Sequence, residues 1–364
     1  MPAASRAQRC AYPIVLLLSF FPNAKAQNIG IDLAKFGYLH APAGHPAPPA
    51  FSAISYVGED TLFVTFPAQK KETVYGKPFD YTAVTLHKDG SLIAKSVLSG
   101  LWEDQLQRRF IIQPKSKILI VSSDELRIYD LDLISFKSFK LPEKPQLRLS
   151  PDRKTIVVMS KEGNEALETT ISLPEMNTTS QHLHFDERAV RDAELAVSNT
   201  GAVAHAVRDP GAELTISVPS VKWSPQFTVG KYQEPLSFIA EDQLLVSTMA
   251  TTPFPPTYLY IWKADGSIQK VHGPHADLYR SAQPSSDGKR ILVTETDVNF
   301  FTAMLGGFDC GDCGESNHYS IIDIPSAKAL FKRPSHWNCT QALSPSGKEI
   351  AELCDGIIRF LPVP

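Results

Sequence analysis

The hydrophobic pattern of this chain is a series of short β-strands separated by tight turns. Its clearest instance is the stretch at 149–159, Leu-Ser-Pro-Asp-Arg-Lys-Thr-Ile-Val-Val-Met. Ser, Pro and Asp favour a turn, and the β-branched residues that follow favour a strand. Apolar segments joined by turn-forming residues are the local pattern of a β-hairpin. We therefore predict a hairpin at this stretch.

The same pattern recurs seven times along the chain. The copies lie at 56–64, 113–121, 150–158, 198–204, 238–246, 285–293 and 344–351. A second, alternating segment follows each copy and predicts a third strand; these segments lie at 81–86, 126–131, 169–173, 214–218, 258–262, 319–324 and 357–361. Further turn-and-strand patterns at 88–94 and 264–271 predict fourth strands. The average spacing of about 48 residues is typical of four-stranded propeller blades.

These units predict an all-β fold, a single β-propeller of seven four-stranded blades. Radial stacking would cover both apolar faces of each sheet and leave only short edges. The last unit reaches 364 after its third strand, so we expect the strand-like segment at 31–39 to supply the outer strand that closes the ring. Six or eight blades are alternatives because the copies at 56–64 and 198–204 are weak. A β-sandwich or a two-domain β protein is a further alternative.

The repeated turn is similar to one found in known propellers. Ser-Pro-Asp-Arg-Lys at 150–154, Ser-Ser-Asp-Gly-Lys at 285–289 and Ser-Pro-Ser-Gly-Lys at 344–348 each precede an apolar strand. This pattern resembles the repeats of TolB-type and lactonase-type β-propellers. The resemblance covers most of the chain but belongs to the repeat and not to an active site. It implies the fold, whose members include scaffolds, binding modules and enzymes.

The N-terminus predicts export. Arg6 and Arg9 precede a short apolar run at 14–21, and Ala24 and Ala26 have the spacing that a signal peptidase accepts. The run is shorter than the roughly 20 residues of a membrane-spanning helix, although an uncleaved anchor is the alternative. We predict a signal peptide at 1–26, an N-terminal segment with the ring-closing strand and a linker at 27–50, and the propeller at 51–364. The expected location is secreted or periplasmic.

Composition narrows the range of partners. The formal net charge is -3, from 36 Lys and Arg against 39 Asp and Glu. Nucleic-acid binding would require a basic stripe, so we expect no nucleic-acid partner. We also expect no membrane span after cleavage, since no later apolar stretch is long enough. A protein, a peptide or a small molecule is the expected ligand.

Loop lengths predict which side of the ring binds. Turns between the first and second and between the third and fourth strands are short and emerge on one side, the turn face. Connections between the second and third strands and between blades are longer and emerge on the other side, the loop face. Binding residues usually lie on such loops, although a solvated surface is the alternative for each charged residue. The candidate ligand-binding residues are Trp102, Arg108, Arg109, Arg188, Arg191, His272, His275, Asp277, Tyr279, Arg280, His336 and Trp337.

The cysteines predict disulfides in an exported protein. Of five cysteines, Cys10 lies in the predicted signal peptide. Cys339 and Cys354 flank the turn at 345–347 almost symmetrically, which predicts a cross-strand disulfide. Cys310 and Cys313 lie in a long loop, where a local disulfide is the first interpretation. The alternatives are a metal site with His318, to which His336 would add a ligand, and redox activity, for which the surrounding fold pattern is wrong.

Two functional hypotheses remain. Nucleophile elbows, phosphate loops, zinc-protease helices and EF-hand loops are absent from the sequence. The first hypothesis is therefore an exported β-propeller that acts as a binding or scaffold module and requires no cofactor. The alternative is a lactonase-like propeller hydrolase or lyase at the channel mouth. In that case His272, His275 and Asp277, with His336 on the next loop, would hold a divalent metal or the substrate.

Overall fold

The protein is described here by a computed structural model. The described residues are 30–40, 52–68, 79–101, 110–112, 117–121, 125–142, 145–162, 165–173, 175–183, 193–207, 213–217, 219–224, 226–230, 232–249, 257–273, 278–298, 315–336 and 339–364.

These residues form seven antiparallel β-sheets that follow one another along the chain, here called blades 1 to 7. The strands of blades 1 to 4 are, in order, β2 (Ala53–Tyr56), β3 (Thr61–Pro67), β4 (Phe79–His87) and β5 (Leu92–Leu101); β6 (Phe110–Ile112), β7 (Lys117–Val121), β8 (Glu125–Tyr129) and β9 (Ser135–Lys140); β10 (Gln146–Leu149), β11 (Thr155–Glu162), β12 (Glu165–Ser172) and β13 (Asn177–Leu183); and β14 (Ala193–Val197), β15 (Val203–Val207) and β16 (Thr215–Ser217).

The strands of blades 5 to 7 are β17 (Tyr232–Ala240), β18 (Gln243–Met249), β19 (Thr257–Lys263) and β20 (Ile268–Lys270); β21 (Leu278–Pro284), β22 (Arg290–Val298), β23 (Glu315–Asp323) and β24 (Lys328–Ser335); and β25 (Cys339–Leu343), β26 (Glu349–Cys354) and β27 (Ile357–Pro362), completed by the N-terminal strand β1 (Ile31–Asp32).

The arrangement is a seven-bladed β-propeller, as the repeat predicts. First strands of neighbouring blades contact one another, for example β2 with β25 and β14 with β17, so they form the inner wall of the ring. Blade 4 shows three strands within the described ranges. After β16 the chain continues instead to blade 5, where the Ser224 N–H donates to the Ala264 carbonyl at 2.7 Å. Pro219 in this stretch has no N–H to offer a fourth strand.

The N-terminal segment closes the ring. Ile31 in β1 pairs with Ile358 in β27, so the prediction of closure by this segment is confirmed. The strand is shorter than the predicted 31–39, because a 3₁₀ helix occupies Leu33–Phe36. The Asp32 carboxylate caps this helix by accepting the Ala34 N–H at 2.8 Å, and Gly37 ends it with a φ of 98°.

The same segment also contacts blade 1 on the other side of the closing seam. Lys35 Nζ donates to the Gly90 carbonyl at 2.9 Å, and the Tyr38 ring packs 5.6 Å from that of Phe66. Leu33 and Phe36 are buried in one apolar cluster with side chains of blades 1 and 7. The segment therefore holds the last blade and the first blade together.

The core is divided among the seams of the ring. The described residues form seven apolar clusters, and each cluster joins two neighbouring blades. Polar contacts between neighbouring turns reinforce the turn face. The Asp152 N–H donates to Asn199 Oδ1 at 2.8 Å, Thr200 Oγ1 donates to Glu241 Oε2 at 2.6 Å, and the Ser286 N–H donates to the Pro345 carbonyl at 2.8 Å. The repeated turns thus connect the blades as well as shaping each hairpin.

The predicted disulfide between Cys339 and Cys354 is confirmed. The two residues are direct partners in the β25–β26 ladder, and their sulfur atoms are bonded at 2.02 Å. Cys310 and Cys313 lie outside the described residues. Within the described ranges, no helix has the length and apolar character needed to cross a bilayer.

The seam between blades 3 and 4 contains two buried titratable groups. Glu168 in β12 accepts a hydrogen bond from Gln181 Nε2 at 3.0 Å, and burial raises the pKa of its carboxyl group. His205 in β15 is also buried, and burial lowers the pKa of its imidazole to about 4. His205 is therefore neutral in the folded protein at neutral pH.

Truncation of the closing segment tests its role. Leu33 is fully buried at 0% exposure, so Leu33→Ala leaves a cavity at the closing seam and should lower the free energy of unfolding by about 3 kcal/mol. Leu39→Ala is the matched control, because Leu39 is 56% exposed and should change the free energy by less than about 0.5 kcal/mol. Urea unfolding measures both. Equal effects of the two variants would contradict closure by this segment.

Because burial lowers the pKa of His205, the free energy of unfolding should depend on pH. Below a pH of about 6.5 the unfolded chain takes up a proton at this imidazole, whereas the folded protein does so only near its pKa of about 4. The contribution of His205 is thus complete above pH 6.5 and is lost as the pH falls. Between pH 7 and pH 5 the wild type should lose about 2 kcal/mol more stability than His205→Gln.

The raised pKa of Glu168 acts in the opposite sense, because its contribution is present at low pH and is lost as the pH rises through its folded pKa. Glu168 is present in both the wild type and His205→Gln, so its contribution cancels when their free energies of unfolding are subtracted. Urea unfolding at the two pH values measures the difference, and His336→Gln, at an exposed histidine, is the control. Parallel pH profiles for wild type and His205→Gln would contradict the assignment.

Candidate functional site

A cleft of about 190 Å³ lies in the seam between blades 5 and 6. It forms where the chain leaves the short outer strand β20 and crosses to blade 6. The His272 N–H donates to the Ala327 carbonyl at 2.7 Å, and the Ala329 N–H donates to the His272 carbonyl at 2.8 Å. A Cβ on Gly273 would lie 2.5 Å from that of Ala329, so glycine permits this close crossing.

The cleft has an exposed mouth and a buried floor. Lys270 and His272 are exposed at the mouth, beside the half-buried Tyr258. Leu259, Val271, Ile322 and Ala329 line the cleft with apolar side chains. Tyr279, Glu295 and Ser320 also line it and are almost completely buried. The cleft therefore offers an apolar passage that ends at polar groups.

A buried ion pair organises one side of the floor. Glu295 is 2% exposed, and its Oε2 atom lies 2.9 Å from Lys332 Nζ. The same ammonium group lies 3.1 Å from Asp297 Oδ2. Burial alone would lower the pKa of Lys332, but the two carboxylates together raise it above its ordinary value. Lys332 therefore stays charged and holds the Glu295 carboxylate in place.

Ser320 offers a hydroxyl group at the floor. It lies opposite Lys332 in the β23–β24 ladder and is 1% exposed. In the part of the chain that the structure describes, its Oγ atom has no hydrogen-bond partner. Burial of an unpaired hydroxyl is unfavourable, so a ligand that supplies a partner gains binding free energy here.

The mouth combines a cation with an aromatic ring. Lys270 Nζ lies 3.5 Å from the centroid of the Tyr258 ring, a cation–π contact that orients both side chains. His272 lies beside them with its side chain in solvent. The mouth can therefore contact both apolar and polar groups of a ligand.

The structure brings together two of the residues predicted from the sequence. His272 and Tyr279 both line the cleft. His336 is exposed after β24 and is not a lining residue, and Arg280 follows Tyr279 in β21 with its side chain outside the described part. The remaining candidates also lie outside it: Trp102, Arg108, Arg109, Arg188, Arg191, His275, Asp277 and Trp337.

The metal alternative stays a prediction. His318 lies in β23, with Nδ1 at 3.4 Å from Asp297 Oδ2, whereas Cys310 and Cys313 are outside the described ranges. Within those ranges, no group of three or more His, Cys, Asp or Glu side chains is arranged to hold a metal ion. The predicted disulfide between Cys310 and Cys313 is likewise untested.

The residues at the floor of the cleft are not among the candidates named from the sequence. Glu295, Ser320 and Lys332 lie in three different strands of blade 6, and the prediction considered loop residues only. A signal was present in the run Val293-Thr-Glu-Thr-Asp297, where charged residues alternate along a strand that begins as apolar. Alternation of this kind puts Glu295 and Asp297 on the same side of the sheet as Val293.

Comparisons with known proteins address the fold. No protein-family model and no curated protein matches the chain. The WD40 domain of Neurospora crassa Pan2 is 15% identical, with 90% of this chain and 94% of that domain covered and a TM-score of 0.50.

Two further solved structures resemble the chain more loosely. TolB from Acinetobacter baumannii is 14% identical over 80% of this chain and 78% of its own, with a TM-score of 0.43. The β-propeller domain of the Trilobed protease from Pyrococcus furiosus is 11% identical over 84% of this chain and 91% of that domain, with a TM-score of 0.49. Identities this low reveal the fold alone, and the chain is a β-propeller with a repeat of the kind found in such proteins.

Proposed function

We propose that this protein is an exported binding module that holds a segment of a peptide or protein partner on its loop face. The cleft between blades 5 and 6 receives one anchoring side chain of that partner. Backbone and neighbouring side chains of the partner then lie across the mouth at Tyr258, Lys270 and His272.

The cleft is the observation that carries this proposal. Pockets that enclose small-molecule ligands commonly measure about 300–1,000 Å³. At about 190 Å³ the cleft is smaller than that range and suits a single side chain. Protein interfaces commonly depend on a few such anchors, each buried in a pocket on the partner.

The chemistry of the floor supports binding over turnover. A general base must accept a proton from the substrate, but the Glu295 carboxylate is already paired with Lys332 at 2.9 Å. Ser320 is a hydrogen-bonding group whose Oγ atom has no hydrogen-bond partner, and so no activating base bonded to it, within the described residues. These groups position a ligand, and the walls contribute apolar contact.

Export is part of the proposal. The predicted signal peptide at 1–26 and the Cys339–Cys354 disulfide both suit an extracytoplasmic protein. Mass spectrometry of the mature protein from its native cell envelope or medium should give an N-terminus near Gln27. An intact Met1 would contradict export through a cleaved signal peptide.

Peptide selection tests the binding role. Peptides enriched from a random display library on the wild-type protein should bind Ser320→Ala about tenfold more weakly, since one hydrogen bond to a buried group is lost. His272→Ala should also weaken binding. The matched control is His336→Ala, another exposed histidine that does not line the cleft, which should bind like the wild type. Calorimetric titration measures the affinities.

Two results of that experiment would contradict the proposal. Selected peptides that bind Ser320→Ala and His272→Ala as tightly as the wild type would place the site elsewhere. A stoichiometric metal in the purified protein that is lost in His275→Ala would favour the hydrolase or lyase alternative.

The ion pair at the floor has its own prediction. Lys332→Met leaves the Glu295 carboxylate buried without its cation and should lower the free energy of unfolding by about 3–5 kcal/mol. The double variant Glu295→Gln/Lys332→Met removes both charges and should recover at least half of that loss. Denaturant unfolding compares the two. An equal loss in both variants would mean that Lys332 stabilises the blade through packing and not through charge.

A further inference from the structure

One of the repeated turns between first and second strands differs from its equivalents at its fourth residue. Four described turns begin with serine, at Ser150, Ser198, Ser285 and Ser344, and each serine carbonyl accepts the N–H of the third residue after it. The donors are Arg153 at 2.9 Å, Gly201 at 3.2 Å, Gly288 at 3.0 Å and Gly347 at 2.9 Å. All four donors have a positive φ, of 60°, 91°, 66° and 70° respectively. Blade 3 therefore has arginine where the other three turns have glycine.

The backbone does not favour arginine at this position. A positive φ brings the Cβ atom close to the following carbonyl, which is why glycine is the usual residue in such a turn. Arginine has no short polar group that could relieve this strain locally. Leu133, Met176, Ala327 and Asp355 also have a positive φ, so the feature that distinguishes Arg153 is its cationic side chain.

Equivalent positions show where that side chain starts. A Cβ on Gly288 would lie 3.0 Å from the Ile239 carbonyl oxygen of blade 5, and one on Gly347 would lie 3.2 Å from the Arg290 Cβ of blade 6. In both cases the Cβ direction is toward the preceding blade. The same backbone geometry at Arg153 points its Cβ atom toward blade 2, at the turn-face end of the seam between blades 2 and 3.

The guanidinium of Arg153 is incompletely satisfied. Its Nη1 atom is buried and has no hydrogen-bond partner in the structure as described. Among the described residues, burial is the one cause that shifts the pKa of this group, and it lowers the pKa to about 10. By contrast, Arg290 donates from Nη1 to the Gly347 carbonyl at 3.0 Å and from Nη2 to the Pro364 carbonyl at 2.8 Å.

A desolvated cation without a counter-charge is unfavourable. Two unfavourable features thus coincide at one residue, a left-handed backbone and a buried guanidinium nitrogen that has no hydrogen-bond partner among the described residues. We propose that Arg153 binds an oxyanion at the turn-face end of the seam between blades 2 and 3. The planar guanidinium matches carboxylate and phosphate oxygens, so the ligand is either a free tetrahedral oxyanion or a carboxylate.

Thermal unfolding of the full chain tests this site. The wild type and Arg153→Gly are compared in chloride, phosphate and acetate buffers of equal pH and ionic strength. Phosphate should raise the Tm of the wild type by about 2–4 °C relative to chloride. Arg153→Gly should show no such rise. Its Tm in chloride should equal or exceed that of the wild type, because both unfavourable features are removed.

The acetate buffer distinguishes the two sources of the oxyanion. A rise in both phosphate and acetate indicates a site that also accepts carboxylates, whereas a rise in phosphate alone indicates a tetrahedral ligand. Lys154→Ala removes the adjacent exposed cation and should keep the response of the wild type. Since the formal net charge is -3, general attraction of anions does not account for a response that depends on Arg153.

Three results would overturn the proposal. The first is a wild-type Tm that responds to neither anion. The second is an equal response in wild type and Arg153→Gly. The third is a lower Tm for Arg153→Gly in chloride, since this would show that the arginine stabilises the seam by itself.

Discussion

The structure depends on closure of the ring between its two ends. Each blade buries its apolar faces against its neighbours, so an unclosed ring would expose the outer faces of blades 1 and 7. The N-terminal segment prevents this: Ile31 pairs with Ile358 of blade 7, and Lys35 bonds to Gly90 of blade 1. Leu33, buried between the two blades, adds the apolar contact. At each of the other seams, the sheets of two neighbouring blades pack against each other.

The two faces of the closed ring differ in the connections that they carry. On the turn face, short turns repeat with the same hydrogen bonds and connect neighbouring blades, as Asp152 does with Asn199. On the opposite side, the connections vary in length and are free to shape a site. The cleft follows from the connection between blades 5 and 6, because the chain leaves the three-residue strand β20 early and crosses to blade 6 at His272. The floor below this crossing holds the Glu295–Lys332 pair and the Ser320 hydroxyl.

The sequence predicts those features that depend on local patterns. The recurring turn and its apolar strand give seven blades, the incomplete last unit implies closure by the N-terminus, and the symmetric spacing of Cys339 and Cys354 gives their disulfide. The 3₁₀ helix at Leu33–Phe36 was missed because its cap depends on one side-chain contact of Asp32. Of the residues that line the cleft, His272 and Tyr279 are among the candidate binding residues named from the sequence. The remaining groups of the cleft meet across strands far apart in the sequence, which no local pattern encodes.

We assign partner binding to the cleft between blades 5 and 6, and connection of the blades to the turn face. Hydrogen exchange of the wild-type protein, with and without a peptide selected on it, tests this assignment. We expect slower exchange at 271–273, 278–280 and 319–322 when the peptide is bound, with no change in the turn at 150–155. Slower exchange confined to that turn and its equivalents at 198–202, 285–289 and 344–348 would contradict it.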